Sequence, residues 1–435
     1  MDSISLAFLC LAGMIALMAI RMPIAVALGL TSFVGIWVLK GLDTSLRVVG
    51  STPFEFSASW NLSAIPMFLL MGGIAFRGGL TSSLFDAARL WLARLPGGLA
   101  VAANFASAMF AAASGSSVAT AAAMGRLAIP EMLRFRYDPA LATGTVAAAG
   151  TLGSMIPPSI AFVIFGWYTE TPIGKLLIAG ILPGMLNAAL FAAFIITYCV
   201  LKPDAAPPPD DRPTLREKFA VLGKVWPIPA LILCVIGGIY SGLTTATEAA
   251  AFGAFCAIVI AGLRGGLNRQ AFRDSLIDTL HSGASIFLIA VSAVLLTRFL
   301  ALAGLPQFMG DMVNTLELGP LGVIVFMAVI YLILGCFLDP IGIMLITLPI
   351  LLPMWKAAGL DLIWMGVLVV MLLEIGLLTP PVGLNAFVIK SVVGDAVSLS
   401  TIFRGLLWFI AIDIVVVILL IAFPQISLYL PNLLE

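Results

Sequence analysis

Charge is scarce in this chain. Only 10% of its 435 residues are Asp, Glu, Lys or Arg, against roughly 25% in soluble domains. A water-soluble fold of this length could not cover its surface with so few charges. Histidine occurs once, at His281, and cysteine five times, at Cys10, Cys199, Cys234, Cys256 and Cys336. No two cysteines form a CxxC pair and all five lie in apolar stretches, so they read as small core residues and leave little for metal or redox chemistry. Basic and acidic residues balance at 22 each, which leaves no positive excess for nucleic acid. There is no P-loop, GxSxG, HExxH or Asp-rich loop pair. Without a Walker A motif the chain does not itself hydrolyse ATP. An integral membrane enzyme needs convergent acid–base groups or a metal cluster, which one histidine and few intramembrane carboxylates do not supply.

What fills the space is hydrophobic: 61% of residues, with a mean hydropathy of +1.14. The chain reads as an all-α polytopic membrane protein. Its first apolar run, Ile4 to Ile20, is long, lacks a positive lead and has no small-residue cleavage site, so it is expected to be a membrane helix rather than a signal peptide. Counting apolar tracts against the roughly 20 residues a crossing requires predicts eleven to thirteen spans plus partial ones. Two segments, Arg77 to Gly97 and Arg264 to His281, are amphipathic. They are expected to lie in the interface plane or to brace the bundle from its rim. The one polar stretch, Lys202 to Lys224, carries five basic residues and reads as a cytoplasmic loop. It divides the chain into halves at 1–201 and 225–435.

The halves repeat. Pro130 and Pro353, Gly153 and Gly376, and the doublets Pro157-Pro158 and Pro380-Pro381 all stand 223 positions apart. If an odd number of spans separates the halves, the repeats are inverted. Inverted repeats with helices broken at matching places are the signature of secondary transporters, with the site near the bilayer midplane.

Four segments carry the expected chemistry: Ala111 to Gly125, Gly150 to Phe162, Gly335 to Leu348 and Glu374 to Phe387. A Pro-Pro pair inside an apolar tract removes two donors and breaks the helix, and lipid cannot satisfy the freed carbonyls, so such backbone must be buried or line a wet cavity. Ser114, Ser116, Ser117 and Thr120 cluster in an Ala/Gly tract, Ser154 and Ser159 flank the first Pro-Pro, and Thr379 and Asn385 flank the second. These neutral oxygens suit Na+ and a carboxylate substrate, though Ser and Gly in membrane helices also serve close packing. Charges within or at the ends of apolar tracts are Arg126, Glu248, Arg298, Asp339, Glu374 and Asp413. Asp339, followed by Pro340, is first of all a helix N-cap. Arg126 and Arg298 could meet a substrate carboxylate, but stand where a long side chain reaches the interface.

The phrases SGSSVATAAAMG, GTLGSMIPPSIAFVIFG, IAGILPG, LDPIGIMLITLPILLP and LEIGLLTPPVGLNAFVIK closely resemble the large membrane subunit of tripartite ATP-independent periplasmic (TRAP) transporters, over essentially the whole chain. The resemblance implies about a dozen helices with two re-entrant hairpins, working as an elevator-type secondary transporter in the bacterial inner membrane. It also implies a small four-helix membrane subunit, expected here as a separate chain, and a periplasmic substrate-binding protein. Na+ would be the coupling ion and an organic acid such as a C4-dicarboxylate, keto acid or sialic acid the substrate. One ion site would fall at Ser114, Ser117, Gly153, Ile156 and Pro157, and a second at Gly335, Asp339, Thr379, Gly383 and Asn385. The substrate would lie against Ser116, Pro158, Ser159 and Pro381. Many relatives have Gly-Pro where this chain has Ser117-Val118. A stand-alone ion-coupled carboxylate carrier of the same superfamily would share these features and need no binding protein.

Overall fold

The computed structural model describes residues 2–207 and 214–433. Every regular element among them is helical, so the fold is the expected all-α one. Six helices are long and apolar enough to cross a membrane, or up to eight if two bent pairs each count as one span. Five further apolar helices of 16 or 17 residues bring the described apolar helices to eleven to thirteen, the number expected from the sequence, with the shorter ones partial or near the minimum length of a crossing. Hydropathy cannot see where a tract stops, and several apolar tracts here are two short helices meeting at a break.

Four of those tracts form the centre. The first hairpin consists of Gly98–Ser114 and Ser117–Arg134, followed by a broken helix, Pro139–Met155 and Ile160–Thr169. The second half repeats the plan, with Pro320–Gly335 and Pro340–Ala357 as hairpin and Leu362–Leu378 and Leu384–Val393 as broken helix. The turn chemistry follows the sequence closely. Gly115 ends its helix at φ +63, where a left-handed residue satisfies the last carbonyls. Ser116 is extended and its side chain accepts from the Ala119 amide, which caps the next helix. In the second hairpin Asp339 accepts from the Gly342 amide at 2.9 Å. Both members of this cap, Ser116/Asp339 and Ala119/Gly342, stand 223 positions apart, so the repeat extends to residues whose identities differ. The bonds Pro157-Pro158 and Pro380-Pro381 are both cis.

Around this centre the two amphipathic segments behave differently. Ser82–Leu92 is a separate short helix, and it braces. Arg89 pairs with Glu131 of the first hairpin, and the Trp91 ring meets Phe219 edge-on at 5.7 Å. Arg264 to His281 is not a separate element. From Arg269 onward it is the start of one 35-residue helix, Arg269–Ala303, because nothing between its polar and apolar parts interrupts the backbone ladder.

The central stretch differs in part from the expected loop. Its run from Pro208 to Pro213 lies outside the described residues, but Leu215–Val225 is a helix whose Thr214–Glu217 capping box is complete. This helix packs on the bracing helix through Phe219, and the Trp91 indole donates to the Lys218 carbonyl at 3.1 Å.

Candidate functional site

The site begins where the first hairpin meets the first break, and glycine makes that approach possible. A Cβ on Gly153 would stand 2.7 Å from the Ser116 carbonyl oxygen and 2.9 Å from the Ser117 nitrogen. A Cβ on Gly115 would stand 2.7 Å from the Pro158 carbonyl oxygen. The hairpin tip is therefore seated backbone to backbone on the broken helix, which is itself almost wholly buried.

Within this contact the hydroxyls converge. Ser117 and Ser154 Oγ are 2.9 Å apart, and Ser114 Oγ is 2.8 Å from Thr120 Oγ1. Thr120 donates to the Ser116 carbonyl at 2.8 Å. Ser114, Ser117, Gly153 and Pro157 are buried together here, with Ile156 half-buried at the break. Ser159 is fully buried and caps its own helix by accepting from the Phe162 amide at 3.3 Å. Neutral hydroxyls and the carbonyls of an interrupted helix are hard oxygen donors of the kind that replace a small cation's hydration shell.

The second set is assembled less tightly. Gly335 and Gly376 touch backbone to backbone, a Cβ on Gly335 meeting the Gly376 Cα at 2.7 Å. Thr379 ends its helix and donates to the Ile375 carbonyl at 2.7 Å, which leaves its lone pairs free. Gly383 starts the next helix at φ +56. Asn385 is completely buried, but its amide donates across the halves to the Ala147 carbonyl at 3.2 Å. Its Oδ1 has no partner, an oxygen poised to accept or to ligate. The Asp339 side chain is occupied as a helix cap.

A cavity of about 420 Å³ opens beside the first hairpin tip, lined by Ser114, Ser116, Val118 and Arg126 on one side and by Ser275, Thr279 and Ser282 of the long helix on the other. Of the four residues expected at the substrate, Ser116 lines this cavity, Pro158 and Ser159 are buried behind it, and Pro381 is exposed at the second break. Asp278 at the cavity edge is paired with Arg77. Arg126 is exposed and has no ion pair among the described residues. Arg298, the other sequence candidate, is taken by Glu55 and by Thr52 Oγ1 at 3.0 Å. The wall from the long helix has no signal in the sequence, because nothing local says which helix will face the tip.

Comparisons with known proteins identify the family. Residues 11–426 match the family described as the tripartite ATP-independent periplasmic transporter, DctM component. The C4-dicarboxylate TRAP transporter large permease protein DctM of Pseudomonas aeruginosa is 38% identical over 390 residues, covering 89% of this chain and 90% of that protein. The sialic acid TRAP transporter large permease protein SiaM of Vibrio cholerae is 31% identical over 399 residues, 89% and 92% of the two chains. The fold is shared with the solved YdaH transporter of Alcanivorax borkumensis at a TM-score of 0.60 and 15% identity, covering 89% and 90%. These relatives are permeases, not enzymes, and the chain belongs to the family of TRAP transporter large permease subunits.

Proposed function

We propose that this permease imports an organic acid by Na+ symport, with the ion held at the contact between hairpin tip and broken helix. The observation that carries the proposal is the seating of Ser116 and Ser117 on Gly153. It gathers neutral hydroxyl and carbonyl oxygens, a donor set suited to a monovalent hard cation. The first ion set is Ser114, Ser117, Gly153, Ile156 and Pro157. The second is Gly335, Thr379, Gly383 and Asn385, with Asp339 capping the helix at its edge. The substrate sits in the 420 Å³ cavity against Ser116, with Arg126 facing its carboxylate, and Pro158, Ser159 and Pro381 shape the two breaks behind it. The halves 1–201 and 225–435 are inverted repeats joined by the 202–224 connection, and the hairpins with their broken helices move as the carrying unit of an elevator.

In this reading a separate small four-helix membrane subunit and a periplasmic substrate-binding protein complete the system in the bacterial inner membrane. A carrier acting alone is the competing reading. Relatives of similar identity are named for a C4-dicarboxylate and for sialic acid, so the acid is set by a few residues or by the binding protein. The test is uptake into proteoliposomes that hold both membrane subunits, supplied with loaded binding protein, with and without a Na+ gradient. Uptake at full rate in Na+-free medium with only a proton gradient overturns the symport reading. Uptake of free substrate without binding protein overturns the tripartite one.

A further inference from the structure

A hydroxyl that ligates a cation must turn its lone pairs to the ion and place its proton elsewhere. Most hydroxyls in and beside the two sets have a carbonyl for this purpose. Thr379 gives its proton to Ile375, Thr120 to Ser116, and Ser114 faces the Ser116 carbonyl at 3.5 Å. Ser117 and Ser154 have no such carbonyl. Their hydroxyls are bonded to each other, which disposes of one proton and leaves one over.

One further group touches this pair, and it comes from the other half of the chain. Glu374, on Leu362–Leu378 of the second broken helix, is 1% exposed, and its carboxyl lies against the Ser117 and Ser154 hydroxyls. Its Oε2 has no hydrogen-bond partner. None of the described ion pairs includes it. An isolated buried carboxyl is costly, and charge within a membrane domain is retained where it does something. The neighbouring buried carboxyl, Asp413, is engaged by the Asn187 amide at 3.0 Å and does not touch the serines.

Building on the symport reading, we propose that Glu374 is a positioning residue for the first ion site. It accepts the leftover proton of the Ser117–Ser154 pair and so aims the Ser117 oxygen at the cation. Partners behind a ligand, which fix its orientation, typically set 10–100-fold of metal affinity. The same helix packs Gly376 onto the second hairpin and ends at Thr379, so one rigid element holds parts of both ion sites.

The test reads Na+ binding directly, as the rise in melting temperature of the purified permease with Na+ concentration, alongside the Na+ dependence of uptake. Glu374→Gln replaces one acceptor oxygen with an amide donor that competes for the serine lone pairs. The apparent Na+ affinity should fall about 10–100-fold, while the melting temperature extrapolated to zero Na+ changes little. Glu374→Asp, which keeps the carboxyl but draws it back by one methylene, should give a smaller shift in the same direction and serves if the Gln protein does not fold. Asp413→Asn should leave the Na+ dependence as in wild type, and an equal shift there overturns the proposal in favour of a diffuse charge effect. Wild-type Na+ dependence in either Glu374 variant overturns it also. Ser117→Ala separates the two levels of the argument. If that variant shifts the Na+ dependence and Glu374→Gln does not, the ion site stands and Glu374 is only a packing group. If neither shifts it, the ion-site reading falls as well.

Discussion

The contact at Gly153 is tight enough to be used as a ruler. Gly153→Ala adds a Cβ 2.7 Å from the Ser116 carbonyl oxygen, 2.8 Å from its carbon and 2.9 Å from the Ser117 nitrogen. All three are backbone atoms of a helix start, so no flexible side chain can swing away. Relief to an ordinary contact of 3.4 Å needs the tip to move by about 0.7 Å. Overpacking of this kind costs about 1–3 kcal/mol, offset by up to about 1 kcal/mol from replacing glycine inside a helix. Gly50→Ala isolates that offset, since Gly50 lies in Leu42–Ser57 with no neighbouring atom within 4 Å. It should be neutral to stabilising. The functional loss should exceed the loss in stability, because ion ligands tolerate only about 0.2 Å of error. In the proteoliposome assay we expect the Na+ concentration for half-maximal uptake to rise at least about tenfold in Gly153→Ala, on the order of 1.4 kcal/mol, and to be unchanged in Gly50→Ala. A Gly153→Ala protein that melts and responds to Na+ like wild type refutes the claim that this contact builds the ion site.

Three further outcomes are expected. Asp339→Asn should transport within about twofold of wild type, because Asn caps a helix as well as Asp does, while Asp339→Ala should lose about 1 kcal/mol of stability. A well-folded but inactive Asn variant, measured by uptake and melting together, would show that the carboxylate charge itself is needed. Thr379→Val removes an oxygen but keeps the shape, so the Na+ requirement of uptake should rise about tenfold or more with detergent stability within about 1 kcal/mol, and an unchanged Na+ curve removes Thr379 from the second site. Arg126→Gln should raise the substrate KM about tenfold or more with an unaltered Na+ requirement, since a charge-assisted contact to a carboxylate contributes about 1.5–3 kcal/mol; an unaffected KM in the same uptake assay places the substrate elsewhere.

What could be read from the sequence was what acts locally. Proline removes a donor and glycine permits a left-handed turn or a close approach wherever they stand, so the two Pro-Pro breaks and the Gly115 turn appear where the residues put them. The 223-residue offset then paired the halves without any contact being known. Whatever depends on long-range packing was not legible. Asn385 was placed by its neighbour Pro381 in a local ion set, yet its amide reaches a carbonyl 238 positions away in sequence. Glu374 stood out as a costly intramembrane charge, but its partners are serines from the other half. Hydropathy counted apolar tracts rather than crossings, because a hydrophobic tract scores the same whether it crosses once or turns at a hairpin tip. The amphipathic start of Arg269–Ala303 looked like a rim helix because periodicity reports which face is apolar, not where a helix ends.

The two cross-half contacts have a consequence for how such a permease can move. Asn385 of the second half binds the Ala147 carbonyl, and Glu374 lies against Ser117 and Ser154, so both reach the first hairpin and its broken helix. Glu374 has no ion pair among the described residues, and each of the two side chains leaves an oxygen unpartnered, Asn385 Oδ1 and Glu374 Oε2. Sliding one half past the other would break the Asn385 hydrogen bond and carry a buried carboxyl away from its neighbouring hydroxyls, and a buried polar group left unsatisfied costs about 1–3 kcal/mol. The polar contact between the first hairpin and its brace is of another kind. Arg89 to Glu131 is a partly exposed ion pair, which contributes only about 0–1 kcal/mol and re-forms readily in water. Of the polar contacts described, the one between the first hairpin and its brace is therefore the cheaper to break, and those across the halves are the costlier. That difference favours the elevator motion proposed above, in which both hairpins move together, over independent motion of the two repeats.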